Sequence, residues 1–124
     1  MLNENGKRAL AYVVQITDVE DIVGADNIQK AKVNGWPVII KKNEFNNNDL
    51  GIFFEIDSLV PSNNPVFDFL ASRKYRIKTM KLSKFGVLSQ GLVMPLTSFP
   101  ELGDIDVGVD VTEKLGITYY VPGD

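Results

Sequence analysis

Neither cysteine nor histidine occurs among the 124 residues. The first absence removes disulfides, thiolate metal sites and sulfur nucleophiles; the second removes the commonest general base and the commonest zinc ligand. Most hydrolase and zinc chemistries are excluded on those two counts. Long apolar runs are missing as well. No stretch approaches the ~20 residues that a bilayer requires, and the opening MLNENGKRAL has no apolar core of a signal peptide. The expectation is a soluble, intracellular protein, placed in the cytoplasm, with no membrane partner. There is no internal repeat and no low-complexity block, so an ordered chain is expected outside its ends.

What is present fits one domain: 44% hydrophobic residues, 23% charged, and a length sufficient for a single core. The formal net charge of -3 hides an uneven distribution. Residues 1–97 hold 12 of the 13 Lys and Arg against 10 of the 16 acids, so the main body is weakly basic and the remainder acidic. Arg73, Lys74, Arg76, Lys78, Lys81 and Lys84 place six cations in twelve residues with no acid among them. This cluster is the strongest electrostatic feature of the chain.

Alternation marks the strands. Tyr12, Val14 and Ile16 share a face of a first strand, Tyr12 to Ile16, bounded after Val19 by acids. Residues 24–27, GADN, make a turn, and Ile28 to Val33 and Trp36 to Lys41 form a hairpin across Asn34-Gly35, a dipeptide that tolerates positive φ at both positions. Pro37 lacks a donor and signals an edge or bulge. After the polar NNNDLG, Ile52 to Asp57 returns as a strand. Asn64-Pro65 starts a helix of about two turns, as an N-cap followed by proline. Tyr75 to Leu82 and Gly91 to Leu96 read as further strands, and Asp110 to Leu115 as one helical turn stopped by Gly116. The fold class expected is mainly all-β: a small five-stranded barrel, closed or partly open, with one or two short helices.

The ordered segments GADNIQKAKVNGWPVIIKKNEF, DLGIFFEIDSLVP, YRIKTMKLSKFGVLSQGLVMPL and GVDVTEKLGI resemble the N-terminal domain of the ATP-dependent RNA ligase family typified by the Deinococcus enzyme. The resemblance runs from about Ala11 to Pro122. It implies an OB-fold over residues 11–122 behind an N-terminal arm, residues 1–10, and it implies binding of RNA or of a nicked RNA-containing duplex. In that family a nucleotidyltransferase domain follows, in which a lysine takes AMP from ATP with a divalent metal and passes it to a 5′-phosphate end. That ligase domain is not expected within this chain and would act in cis or in trans. Its nucleophile lies in a Lys-x-Asp/Glu-Gly motif. The approximate match, Lys32-Val33-Asn34-Gly35, departs at Asn34, and its Asn34-Gly35 already has a strand-connecting role, so no catalytic residue is expected here.

The residues expected to touch nucleic acid are Lys41, Lys42, Arg73, Lys74, Arg76, Lys78, Lys81, Lys84, Ser89 and Gln90. Cations on a strand and its following loop suit phosphate contact; the alternative is an ordinary solvated face. Ser89-Gln90-Gly91 offers a hydroxyl, an amide and a close approach to phosphate or sugar, or else a bulge or turn at Gly91. Glu55 and Asp57 are too few for a metal site and suit backbone capping or solvent. Trp36, Phe53 and Phe54 suit the barrel wall, although a stacking role needs only that one aromatic be exposed. Two other functions fit the pattern less closely: a docking module that orders a catalytic domain, using the acidic residues 101–113, and a tRNA-binding barrel, which VEDIVGADNIQKAKVNGW loosely resembles.

Overall fold

The computed structural model describes residues 9–120. Most of the expected N-terminal arm and the boundary at Pro122 lie outside the described residues.

A bent strand organises the fold. β1 (Ala11–Gln15) pairs antiparallel with β5 (Leu50–Phe54), which pairs with β9 (Leu92–Pro95). The chain then kinks into β2 (Thr17–Asp21), which leaves that sheet and pairs with β3 (Ile28–Val33). A register shift between Thr17 and Glu20, with Asp18 at φ 53, makes the bend. No strand is expected over β2, because TDVED is mostly acidic and carries a single large apolar residue, Val19; none of its residues is fully buried.

The β3 to β4 hairpin (Trp36–Lys41) has the expected boundaries. Asn34 and Gly35 lie at φ 50 and 82, as a tight turn matching strand twist demands. β5 begins two residues earlier than expected and stops at Phe54. Beyond it the chain turns at Asp57, φ 69, into the short β6 (Ser58–Leu59).

The helix after Asn64 forms as a 3-10 helix, Pro65–Arg73, capped by the Asn64 side chain, which accepts from the Val66 N–H at 3.2 Å. Its C-terminal end overturns the expected strand Tyr75 to Leu82. Lys74 and Tyr75 are both left-handed, at φ 57 and 60, and only Met80–Leu82 (β7) is strand, paired with β8 (Val87–Ser89). Arg76 makes a single bridge to Leu59. The expected helical turn near the end is one hydrogen-bonded turn, in which Leu115 N–H donates to Val111 O, and β10 (Thr118–Tyr119) follows it and pairs with β6.

Both faces of β1 and β5 are buried, which explains their nearly continuous apolar runs. Tyr12, Val14 and Phe53 point into the barrel with Val33, Val38 and Ile40. Ala11, Val13, Ile52 and Phe54 point outward, where Phe67 and Leu70 of the 3-10 helix and Val111 and Ile117 cover them. Phe54, Phe67 and Phe99 form a ring cluster with centroids 5.7–6.1 Å apart. Residues 108–111 lie along the other side of β1: Val13 N–H donates to Val109 O, and Val111 N–H to Ala11 O.

The ladders do not close into one continuous sheet. Between β4 and the β8–β9 connection the contact is a seam, crossed by Gln90 N–H to Pro37 O at 2.9 Å and by Ile39 N–H to Ser89 Oγ at 3.1 Å. Pro37 accordingly sits on the edge its missing donor predicts.

Candidate nucleic-acid interface

Ser89-Gln90-Gly91 forms the far wall of the seam. Ser89 is buried, and its hydroxyl accepts from Ile39 N–H and donates to Gly91 O at 2.8 Å. In this arrangement the hydroxyl stitches the seam. Gly91 adopts φ 143, and a Cβ there would stand 2.4 Å from Phe53 Cζ and 2.9 Å from Phe54 O, so only glycine lets the wall lie flush on β5. Gln90, half-buried between them, is held by its backbone bond to Pro37.

Two clefts flank this wall. The first, about 220 Å³, has Arg73, Arg76 and Lys78 at its rim, with Ile77, Ser89 and Gly91 lining it. The helix end supplies Arg73, and the left-handed turn at Lys74 and Tyr75 brings Arg76 and Lys78 back beside it. Three of the six clustered cations therefore share one cleft. Lys74 is exposed at the helix cap. Lys81, on β7, lines a neighbouring hollow with Ser83 and Gly86, and Lys84 stands 5.5 Å from the Phe85 ring centroid. Lys41 and Lys42 are exposed at the opposite end of β4, where Lys42 N–H donates to Asn27 O.

The cations are not equivalent. Arg76 donates from Nε and Nη2 to Asp57 Oδ1 at 3.1 and 2.7 Å, and its guanidinium lies 3.8 Å from the Tyr120 ring centroid. It ties β6, the turn after the helix and the chain beyond β10 together. Lys78 and Lys74 are exposed to solvent, and no ion pair of theirs is found among the described residues. The paired acids of the β5 end are engaged too: Glu55 Oε2 accepts from Tyr12 Oη at 2.6 Å, and Asp57 holds Arg76. No cluster of three metal-ligating side chains occurs among the described residues.

The second cleft, about 460 Å³, opens on the other side of the wall, lined by Tyr12, Asn34, Trp36, Phe53, Glu55 and Gln90. Sequence alone does not place Trp36 here. Its β4 neighbours on the same face, Val38 and Ile40, are buried, yet Trp36 is 51% exposed because the hairpin end overhangs the core. The available signal is its position next to the Asn34-Gly35 turn.

Solved structures similar to the chain include Naegleria gruberi RNA ligase variants with ATP and Mn (40% identity, TM-score 0.85, 94% of this chain and 36% of that one) and with AMP and Mn (41%, 0.85, 93% and 36%). The same ligase with PPi matches at 40% identity and a TM-score of 0.84, over 94% of this chain and 36% of that one. The chain thus spans about a third of the length of these ligases, and the likeness bears out the resemblance to ATP-dependent RNA ligases but not its typing by the Deinococcus enzyme. Among curated proteins no significant match is found. Residues 10–96, well over half of the chain, match the family model described as PHA02142 OB-fold domain. Together with the bent first strand, the hairpin and the seam, this match shows that the chain belongs to that family of OB-fold domains.

Proposed function

We propose that this OB-fold domain holds a nicked, RNA-containing duplex by its phosphates and sugars and presents the break to an adenylyltransferase domain acting in cis or in trans. The observation that carries the reading is the cleft in which Arg73, Arg76 and Lys78 converge against the Ser89–Gly91 wall, with Lys74, Lys81 and Lys84 close by in the chain. Each lysine or arginine that meets a phosphate releases condensed counterions, which gives affinity without base readout. Lys41, Lys42 and the Gln90 amide extend the surface. ATP and a divalent metal belong, on this reading, to the adenylyltransferase domain, in keeping with the ATP, AMP and Mn of the similar ligase structures. On this reading no lysine of the domain itself is adenylylated; Lys32 and Val33 end β3, and Asn34-Gly35 make the turn into β4.

Anisotropy of a labelled nicked duplex and its intact counterpart, at two salt concentrations, tests the proposal. The nicked duplex is expected to bind more tightly. The double variant Lys78→Glu/Lys81→Glu is expected to flatten the logarithmic salt slope by about 0.9 for each duplex phosphate it no longer neutralises. Arg76 is left intact in this variant because reversing it breaks the Asp57 pair. Absence of binding at low salt, or an unchanged slope in the variant, overturns the reading. Weight then passes to a docking module, which the exposed Val107 and Val109 within the acidic residues 101–113 favour.

A further inference from the structure

We infer, resting on the phosphate reading above, that Asp57 and Tyr120 are positioning residues: they hold the Arg76 guanidinium so that its free edge takes one phosphate group of the bound strand in a two-pronged contact.

The backbone sets the platform. Residues 57–60 run antiparallel to residues 75–77, with Asp57 N–H donating to Ile77 O at 2.8 Å, Ile77 N–H to Ser58 O at 2.9 Å and Val60 N–H to Tyr75 O at 2.9 Å. These bonds join the two segments without help from side chains. The Arg76–Asp57 pair, with side chains 28% and 35% exposed, is therefore not required as a staple, and ion pairs near solvent contribute little to stability. What the pair fixes is the guanidinium. Asp57 Oδ1 accepts from Nε and from Nη2 along one edge, while the Tyr120 ring centroid stands 3.8 Å from the guanidinium carbon and covers one face. Tyr120 is itself anchored, its N–H donating to Asp57 O at 2.7 Å.

The Nη1 hydrogens and the second Nη2 hydrogen have no partner among the described residues. They make up the end of a planar fork, whose geometry matches two oxygens of one phosphate. Arg76 lines the cationic cleft with Arg73 and Lys78, and neither of those two has an ion pair among the described residues. A loose cation must be ordered when it binds; Arg76 is ordered beforehand. A carboxylate beside a phosphate site also weakens the attraction there, because like charges repel. Positioning and field thus pull in opposite directions, and the sign of an Asp57 substitution tells which governs.

The full chain and its variants are titrated by anisotropy with a labelled nicked RNA duplex carrying either a 5′-phosphate or a 5′-hydroxyl at the break. Asp57→Gly and Asp57→Asn remove the same charge, and both residues suit the left-handed φ of 69, but only asparagine keeps an oxygen that can accept from Arg76. Field alone predicts tighter and equal binding by both. Positioning predicts that Asp57→Gly weakens binding about 2- to 12-fold, the range for ordering one rotamer-rich side chain, and that Asp57→Asn falls between it and the wild type. Arg76→Lys keeps the charge and loses the fork, so it is expected to weaken binding over the same range while leaving the logarithmic salt slope unchanged. It also decides the matter alone if Asp57→Gly does not fold. A 5′-phosphate gain that Asp57→Gly abolishes identifies the phosphate as the terminal monoester; equal losses on the two duplexes identify an internal diester. Equal or tighter binding by Asp57→Gly, or full affinity in Arg76→Lys, overturns the fork and leaves the phosphate reading standing. Failure of the wild-type chain to bind either duplex at low salt overturns the phosphate reading, and the fork with it.

Discussion

At the scale of single residues, glycines 91 and 35 make the clearest contrast. Both lie at positive φ, but a Cβ at Gly91 meets Phe53 at 2.4 Å, whereas nothing lies within 4 Å of one at Gly35. Overpacking and backbone strain add at the first site, and strain alone acts at the second. Gly91→Ala is therefore expected to cost about 3 kcal/mol and Gly35→Ala about 1 kcal/mol. Urea denaturation of the two variants checks this, and equal losses would mean that the wall yields easily. The same scale separates the six clustered cations. Arg76 is engaged by Asp57 and Tyr120, while Lys74 and Lys78 remain available to a ligand. Their shared charge is legible in the sequence. Arg76's engagement is not, because Asp57 and Tyr120 lie 19 and 44 residues away along the chain.

At the scale of elements, the 3-10 helix Pro65–Arg73 governs where the cations go. Its start is local chemistry, the Asn64 side chain and Pro65, and is readable as such. Its end is a left-handed Lys74, followed by a left-handed Tyr75. Without that reversal, residues 75–82 would run on as the strand their alternation suggests, and Arg76 and Lys78 would not return beside Arg73. Lysine is a poor residue for this conformation. Lys74→Gly is expected to stabilise the domain by about 1 kcal/mol, visible as a higher thermal midpoint. A loss of stability instead would show that the Lys74 side chain contributes packing that outweighs its backbone strain.

The whole molecule is built as two cores sharing β1 and β5. Val13 and Ile52 face the outer layer; Val14 and Phe53 face the barrel. Such sharing predicts one cooperative unit. Val13→Ala and Val38→Ala, one in each core, are each expected to cost about 2 kcal/mol and to lower the same transition. Far-ultraviolet circular dichroism and Trp36 fluorescence should trace coincident curves in both variants. Transitions that separate would show that the helix-side layer melts independently of the barrel, and the cationic cleft with it.

The sequence by itself determined the β3–β4 hairpin, the helix start, the barrel class and the presence of a cation cluster. Each depends on neighbouring residues: a turn dipeptide, a cap, an alternation, a run of charge. Only the tertiary structure decided that Ser89 stitches the seam, that Gly91 makes room for Phe53, that Trp36 overhangs a cleft, and that one three-residue wall separates aromatic from cationic surface. Those facts arise where β4 meets the β8–β9 connection, some fifty residues on, and burial at such a seam depends on which strands fail to pair, a property no local pattern encodes.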